Sequence, residues 1–383
     1  MSTTRTTAWS DAHATAWGAA GPLAPALTAI RCAAGQILAA PIVAATPAPA
    51  FDAAAMDGYA VSGPPPWRVV GQVRAGGPQL ARLFPGSAVE IATGARVPAG
   101  CEGVVPYEDC RRDGETVAGA LAGAHIRRAG EDAARGDVLV PSGRPVTAAA
   151  AGLAAQTGVE RVWVHPRPVV DVLVTGDEVV LRGVPGAGQV RDAFEPLLGA
   201  VVARAGGELG AYRSVRDDPA ALSAALSTSA ADVVVVTGSS SAGAADHLRA
   251  VLDAGASTWH VDGVACRPGH PQALASTPDG RWVAGLPGNP YAGLVAALTL
   301  LEPLLSTQAG RPRRPLPSAP VHGTAAVHAA RSRIVPVATT GDGVRIVPGA
   351  RSASLRAAAT ADALAVLDGG WTTGAAAPLL MLP

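Results

Sequence analysis

The sequence predicts a multidomain α/β protein: a central parallel sheet with helices, preceded by a helical N-terminal region and a small β-module, and followed by a second small β-domain. Three observations lead there. Apolar strand-like runs alternate with helical patterns across residues 166–308, the signature of a parallel sheet. Short β-rich runs broken by Gly and Pro every eight to twelve residues or so fill residues 67–147. The chain has 383 residues, more than one ordinary domain of about 100–200 residues.

In order along the chain, residues 14–45 alternate Ala/Leu patches with Gly and Pro and suit one or two helices, with Leu23, Leu27, Ile30, Ile37 and Leu38 as the buried face. Strands are expected at 67–73, 88–91, 103–107 and 137–140, and a helix at 148–158 closed by Gly158. Val169–Val174 reads as a buried apolar run. Helices follow at 194–205, ended by Gly206-Gly207, at 219–229 and from Asp246, with strands at 232–236 and 282–286. Residues 291–305 are apolar but contain Glu302, and they read as a buried helix too short to span a membrane. Residues 306–318 read as a linker, and four short strands at 333–337, 344–347, 363–367 and 378–382 form the last domain. The resulting division is 1–48, 49–147, 148–165 (a return to the N-terminal region), 166–308 and 318–383.

Composition narrows the chemistry. The chain is 49% hydrophobic, and its 30 basic and 30 acidic residues balance, which argues against a broad nucleic-acid surface. Every basic residue is Arg. That excludes a Walker A lysine, a Schiff-base lysine and a Ser-Lys dyad. The four cysteines, at 32, 101, 110 and 266, fit no zinc spacing and suggest buried thiols in a reducing cytoplasm. The N-terminus has no charged stub followed by an apolar run, so no signal peptide is expected.

Seven segments carry the chemistry. In the β-module these are Met56-Asp57-Gly58-Tyr59, Thr93-Gly94 leading to Val104-Val105-Pro106-Tyr107-Glu108, and Gly130-Glu131-Asp132. Each alone marks a turn or a solvated hairpin. Thr175-Gly176-Asp177-Glu178 follows a buried strand, where open α/β sheets bind ligands. Gly238-Ser239-Ser240-Ser241, with Gly243 and Asp246, also follows a strand and suits a phosphate cradle. Arg267-Pro268-Gly269-His270-Pro271 and Leu286-Pro287-Gly288-Asn289-Pro290 form tight loops, the first with cationic donors. The carboxylates Asp177, Glu178, Asp217 and Asp246 are oxygen donors of the kind Mg²⁺ prefers. Residue chemistry thus describes a pocket for an anionic, nucleotide-like ligand and leaves the substrate open.

Together and in order, the segments AMDGYAV, IATGARVPAGCEGVV, GEDAARGDVLVPSG, VLVTGDEVV, DVVVVTGSSSAG, PGHP and LPGNP resemble the molybdopterin molybdenumtransferase family, the MoeA proteins and gephyrin E-domains. The resemblance runs from about Leu23 to Leu382. It implies an N-terminal elongated helical/β region, an inserted β-module, a central molybdopterin-binding domain and a C-terminal β-domain. It further implies a homodimer that inserts molybdenum from molybdate into adenylylated molybdopterin, with Mg²⁺ assisting and AMP released. The implied active-site cleft lies between one subunit's α/β domain and its partner's β-module.

By position, Asp57, Thr93, Glu178, Asp217 and Asp246 are the implied catalytic residues, with Glu178, Asp217 and Asp246 on the metal. Asp132 is likewise implied as substrate-binding, and the strand-end loops add Thr175, Gly176, Asp177, Gly238, Ser239, Ser241, Gly243, Arg267, Gly269, His270, Pro287, Gly288 and Asn289 as candidate substrate-binding residues. No nucleic acid or membrane partner is expected.

The chain departs from the family pattern at Ala54 (usually Ser), at Asp192-Ala193-Phe194 (Asp-Ser-Asn) and at Ser239-Ser240 (Gly-Val). It departs again at Arg267 and His270, which are both Lys in the family. His at 270 keeps a donor but makes its charge pH-dependent. These departures keep two other readings open: a paralogue that binds molybdopterin or nucleotide without completing insertion, and a non-catalytic scaffold.

Overall fold

The structure is a computed structural model that describes residues 6–238 and 247–383. It comprises two compact units, one formed by Leu27–Ala34 and Ala40–Val164, the other by the N-terminus to Ala26, Gly35–Ala39 and His165–Pro383.

The smaller unit is built on a six-stranded sheet. Its strands run in the order Cys110–Asp113, Thr116–Gly119, Trp67–Val73, Ser87–Ile91, Gly58–Ser62 and Gly103–Pro106. Successive side chains of a strand face opposite ways, and both faces here are covered. Ala60, Val89 and Val104 join Leu83 and Ile91 in one cluster, while Tyr59, Val61, Ala88 and Val105 join Trp67 and Val117 in another. Helix α2 (Ala148–Gln156) starts at Thr147, whose hydroxyl accepts from the Ala150 N–H at 3.1 Å. It ends at Gly158, as expected.

The larger unit holds a six-stranded mixed sheet, ordered Glu208–Val215, Val169–Thr175, Val233–Thr237, Trp282–Leu286, Ala273–Ser276 and Thr258–Asp262. The first four strands are parallel, and Ala273–Ser276 turns antiparallel. One face, with Val170, Val172, Val174, Val233 and Val235, is covered by α3 (Phe194–Ala205), by the helix Pro290–Gln308 and by α1 (Trp9–Gly18). The other face, with Leu173, Val234 and Val236, is covered by α4 (Pro219–Ser227) and α5 (His247–Ala254). Parallel strands buried on both faces are what the apolar runs require.

The helix Pro290–Gln308 is long and apolar enough to cross a membrane, yet 83% of its apolar window is buried within the protein. It is a core helix, as its sequence suggested. Its centre, Ala297–Leu301, is π-wound. There Thr299 donates to the Val295 carbonyl at 2.7 Å and accepts from the Trp9 indole at 3.1 Å, which docks α1.

Three expectations are corrected. The N-terminal helix occupies Trp9–Gly18, and residues 26–38 form short strands and a 3₁₀ turn rather than helices. Gly18, Gly21, Pro22 and Pro25 break the helical path, and Leu27 is exposed. Second, the run 169–174 is interrupted by Asp171. That carboxylate is 8% exposed and is accommodated because it accepts from the Ala211 N–H and from the Ser229 hydroxyl, each at 2.7 Å. Third, the supposed linker starts later, because helix continues to Gln308.

The C-terminal strands lie in a seven-stranded sheet that also takes in Thr7–Ala8 and Val264–Arg267. Ile334, Leu364, Val366 and Leu380 pack into the same core as the α/β layers. This region therefore belongs to the larger compact unit.

Candidate functional site

In the larger unit, the register of the parallel strands brings the sequence motifs to one edge. Val174 pairs with Thr237, Thr237 with Leu286, and Thr175 with Val215. Gly176, Gly238, Pro287 and Arg216-Asp217 therefore leave the sheet side by side at its C-terminal edge, the ligand-binding edge of such sheets. The Thr175 hydroxyl donates to the Thr237 carbonyl at 2.7 Å, and the Gly238 N–H donates to the Leu286 carbonyl at 3.2 Å. The backbones crowd here. A Cβ on Gly238 would stand 2.8 Å from the Thr175 carbonyl oxygen, and one on Gly288 would stand 3.2 Å from Gly238 Cα. Close packing explains both glycines, and Gly238 also has φ +94°.

The acids gather beside them. Asp177 Oδ1 accepts from the Asp217 N–H at 3.3 Å. The Glu178 carboxylate folds back over Gly176, whose φ is +114°. His247 Nε2 lies 3.6 Å from Asp217 Oδ1. Sequence reading missed His247, since the first residue of a helix after a Gly/Ser loop carries no signal of the partner it will face. Ser239, Ser241, Gly243 and Asp246 lie outside the described residues. Among the described residues no three His, Cys, Asp or Glu side chains gather closely enough to hold a metal ion by themselves.

Asn289 starts the helix Pro290–Gln308 without capping it by its side chain, which leaves that amide for other partners. The first helical N–H groups, of Tyr291 and Ala292, both donate to the Ser352 carbonyl at 3.1 Å. Phe194, one of the departures from the family pattern, is 4% exposed and packs its ring on Gly293 of this helix. Asp192 accepts from the Phe194 and Glu195 N–H groups at 3.1 and 3.2 Å and from the Tyr212 hydroxyl at 2.8 Å. The Asp192–Phe194 segment thus serves helix start and core.

The loop Arg267–His270 leans on the same helix. A Cβ on Gly269 would meet the Ala292 carbonyl and Val295 at 3.2 Å. Below it, the fully buried Gln272 donates to the Gly269 carbonyl at 2.8 Å and reaches Cys266 Sγ at 3.3 Å, and the Cys266 thiol donates to the Pro268 carbonyl at 3.2 Å. His270 Nδ1 is 2.8 Å from the Val264 carbonyl. A carbonyl only accepts, so Nδ1 carries the proton and Nε2 is the nitrogen left for a ligand. Arg267 is exposed.

The smaller unit carries Asp57, Thr93 and Asp132. Asp57 precedes one strand and Thr93 follows its antiparallel neighbour, and the pairing of Gly58 with Ile91 draws the two together. Asp57 Oδ1 accepts from the Thr93 N–H at 2.7 Å and its hydroxyl at 3.1 Å. Gly58 is obligatory here, because a Cβ would fall 2.1 Å from the Val105 carbonyl oxygen. Asp132 is paired with Arg127. Its loop is tied back to the residues ahead of Asp57, with the Gly130 and Asp132 N–H groups donating to Pro49 and Ala48 carbonyls at 2.9 Å. The Ala129 N–H and the Arg128 guanidinium hold the Asp52 carboxyl below its ordinary range.

Similarity to known proteins makes this an enzyme of molybdenum cofactor biosynthesis, a transferase. Residues 8–158 match the MoeA N-terminal region (domain I and II), and residues 171–307 match the family described as "Probable molybdopterin binding domain". Two curated proteins of Mycobacterium tuberculosis, molybdopterin molybdenumtransferases 1 and 2, are 35% identical over 326 residues and 36% identical over 315 residues. These matches cover 76% and 75% of this chain and 76% of each relative. The crystal structure of a molybdopterin biosynthesis MoeA protein from Pyrococcus horikosii superposes with a TM-score of 0.81 at 26% identity, covering 99% of this chain and 100% of that one. The chain belongs to the MoeA family of molybdopterin molybdenumtransferases.

Proposed function

We propose that the protein transfers molybdenum from molybdate into the dithiolene of adenylylated molybdopterin and releases AMP. The observation that carries this reading is the convergence of Thr175–Glu178, Asp217, Gly238 and Pro287–Asn289 on one sheet edge. Both substrates are anionic, so the work is charge handling more than proton transfer. Arg267 supplies donors for an oxyanion or phosphate, and the Nε2 side of His270 adds one only when its ring is protonated. Gly176, Gly238 and Gly288 allow close approach of backbone to the ligand. The sulfurs arrive with the substrate, and no protein thiol is needed: Cys266 is buried, and burial pushes its thiol up to about 12.

Mg²⁺ is part of the proposal. Glu178 and Asp217 would hold it, with Asp246 as the further ligand expected from the family pattern. Carboxylate oxygens in small number suit an ion that completes its shell with phosphates and water. When bound, it would neutralise phosphate charge. Asp57, held in place by Thr93, and Asp132 are proposed to orient substrate. We also propose a homodimer in a reducing cytoplasm; of the four cysteines only Cys266 is buried, against the expectation of buried thiols throughout.

The decisive experiment is Glu178→Ala. Insertion in vitro from molybdate and adenylylated molybdopterin should be lost while the melting temperature is kept. A folded variant inserting at the wild-type rate overturns the assignment. Light scattering that returns a 38.0 kDa species at micromolar concentration would overturn the dimer.

A further inference from the structure

The smaller unit presents one exposed aromatic ring beside Asp57. Tyr107 follows the strand Gly103–Pro106, and its N–H donates to the Asp57 carbonyl at 3.3 Å. Its hydroxyl donates to Glu90 Oε1 at 2.7 Å. Its ring meets Tyr59 edge to face, centroids 5.3 Å apart and planes at 90°. Arg112 closes the network, 3.8 Å from Glu90 and donating to the Tyr59 hydroxyl at 3.3 Å. Burial and the Glu90 carboxylate push the Tyr107 phenol up, so the side chain stays a neutral donor.

Backbone, hydroxyl and one ring contact are thus all committed, while 42% of the residue stays exposed. A surface tyrosine needs none of this for stability, since water satisfies its hydroxyl. What the tethers achieve is a ring of fixed orientation, which loses little rotamer freedom when a flat ligand covers it. The substrate of the proposed reaction has two flat ring faces, the pyrimidine ring of its pterin and its adenine. We infer that Tyr107 is a substrate-binding residue whose open face stacks on one of these rings beside the Asp57–Thr93 pair. The inference rests on the insertase reading and adds to it a contact that the family pattern does not assign.

Calorimetric titration of the full chain tests it, with AMP, with a simple pterin and with molybdate as the ring-free control. Tyr107→Ala should weaken binding of one ring ligand about tenfold, and the ligand affected identifies the ring. Tyr107→Phe keeps the face and should stay within about twofold of wild type, and molybdate should bind all three forms alike. The stacking role is overturned if Tyr107→Ala binds both rings as tightly as wild type. It is equally overturned if Tyr107→Phe loses as much as Tyr107→Ala, because the hydroxyl–Glu90 bond would then carry the effect. A parallel loss of molybdate binding would overturn it by pointing to general distortion. Wild type binding neither ring would overturn it too, while the Glu178→Ala assay judges the insertase reading separately.

Discussion

Gly176→Ala separates the geometry of the strand-end loop from its stability. Gly176 has φ +114°, a conformation that side-chain-bearing residues rarely adopt. Alanine there costs about 1–3 kcal/mol in backbone strain, which lowers the melting temperature of a unit of this size by about 5 °C. The added Cβ would also stand 2.7 Å from Glu178 Oε2 and 3.2 Å from its Cδ, where ordinary contact begins at 3.4 Å. The clash is with the far end of a flexible side chain, so it is relieved by moving that carboxylate by about 0.7 Å, a displacement on the scale at which catalytic groups lose function. Stability should therefore drop modestly and kcat/KM for insertion should drop about ten- to a hundredfold.

Gly183→Ala is the matched control. Gly183 lies just beyond the short strand Val179–Val180 that follows Gly176, with φ +80° and nothing within 4 Å of an added Cβ. It should show a comparable loss of melting temperature with near-normal insertion. Melting curves and initial rates on both variants decide the matter. If Gly176→Ala melts lower but inserts at the wild-type rate, the Glu178 carboxylate has no positional role. If both variants lose activity equally, backbone strain and not the Glu178 clash is the cause.

Two further outcomes follow from buried polar groups. Gln272→Leu removes the donor to the buried Gly269 carbonyl, but it also removes Gln272 Oε1, which has no hydrogen-bond donor among the described residues. Each effect is worth about 1–3 kcal/mol, and the two are opposite in sign. Calorimetry should then find weakened molybdate binding with little change in melting temperature, and unchanged binding would detach the Arg267–His270 loop from the site. His13, stacked on Trp9 with ring centroids 5.1 Å apart and 7% exposed, is pushed down to about 4, first by burial and then by the charge of Arg313. An unfolded His13 takes up its proton near 6.5 while the folded one resists. This contribution is therefore complete above about pH 6.5 and is lost as pH falls to about 4, by up to about 3 kcal/mol. His13→Phe should flatten that part of the acid-side decline in melting temperature, and superimposable curves would refute it.

What was legible in the sequence divides by range. Thr175-Gly176, Thr237-Gly238 and Leu286-Pro287-Gly288 each announce themselves because an apolar run stops at a small residue, and strand pairing then delivers all three to one edge. Asp57 and Thr93 were legible as motifs, but only antiparallel pairing across 36 residues of sequence explains why Thr93 serves as the donor to Asp57. The N-terminal region was misread because Ala and Leu with scattered Gly and Pro suit short strands as well as helices. Their choice is made by partners far along the chain: the Ile30 N–H donates to the Glu160 carbonyl at 2.9 Å, 130 residues away. His247 and Gln272 carry no local signature at all, since each gains meaning from a group that only the fold brings near. Arg267 and His270 show the complementary case. Their chemistry was evident from residue type in a chain that has no lysine, yet only the Val264 carbonyl reveals which His270 nitrogen faces a ligand.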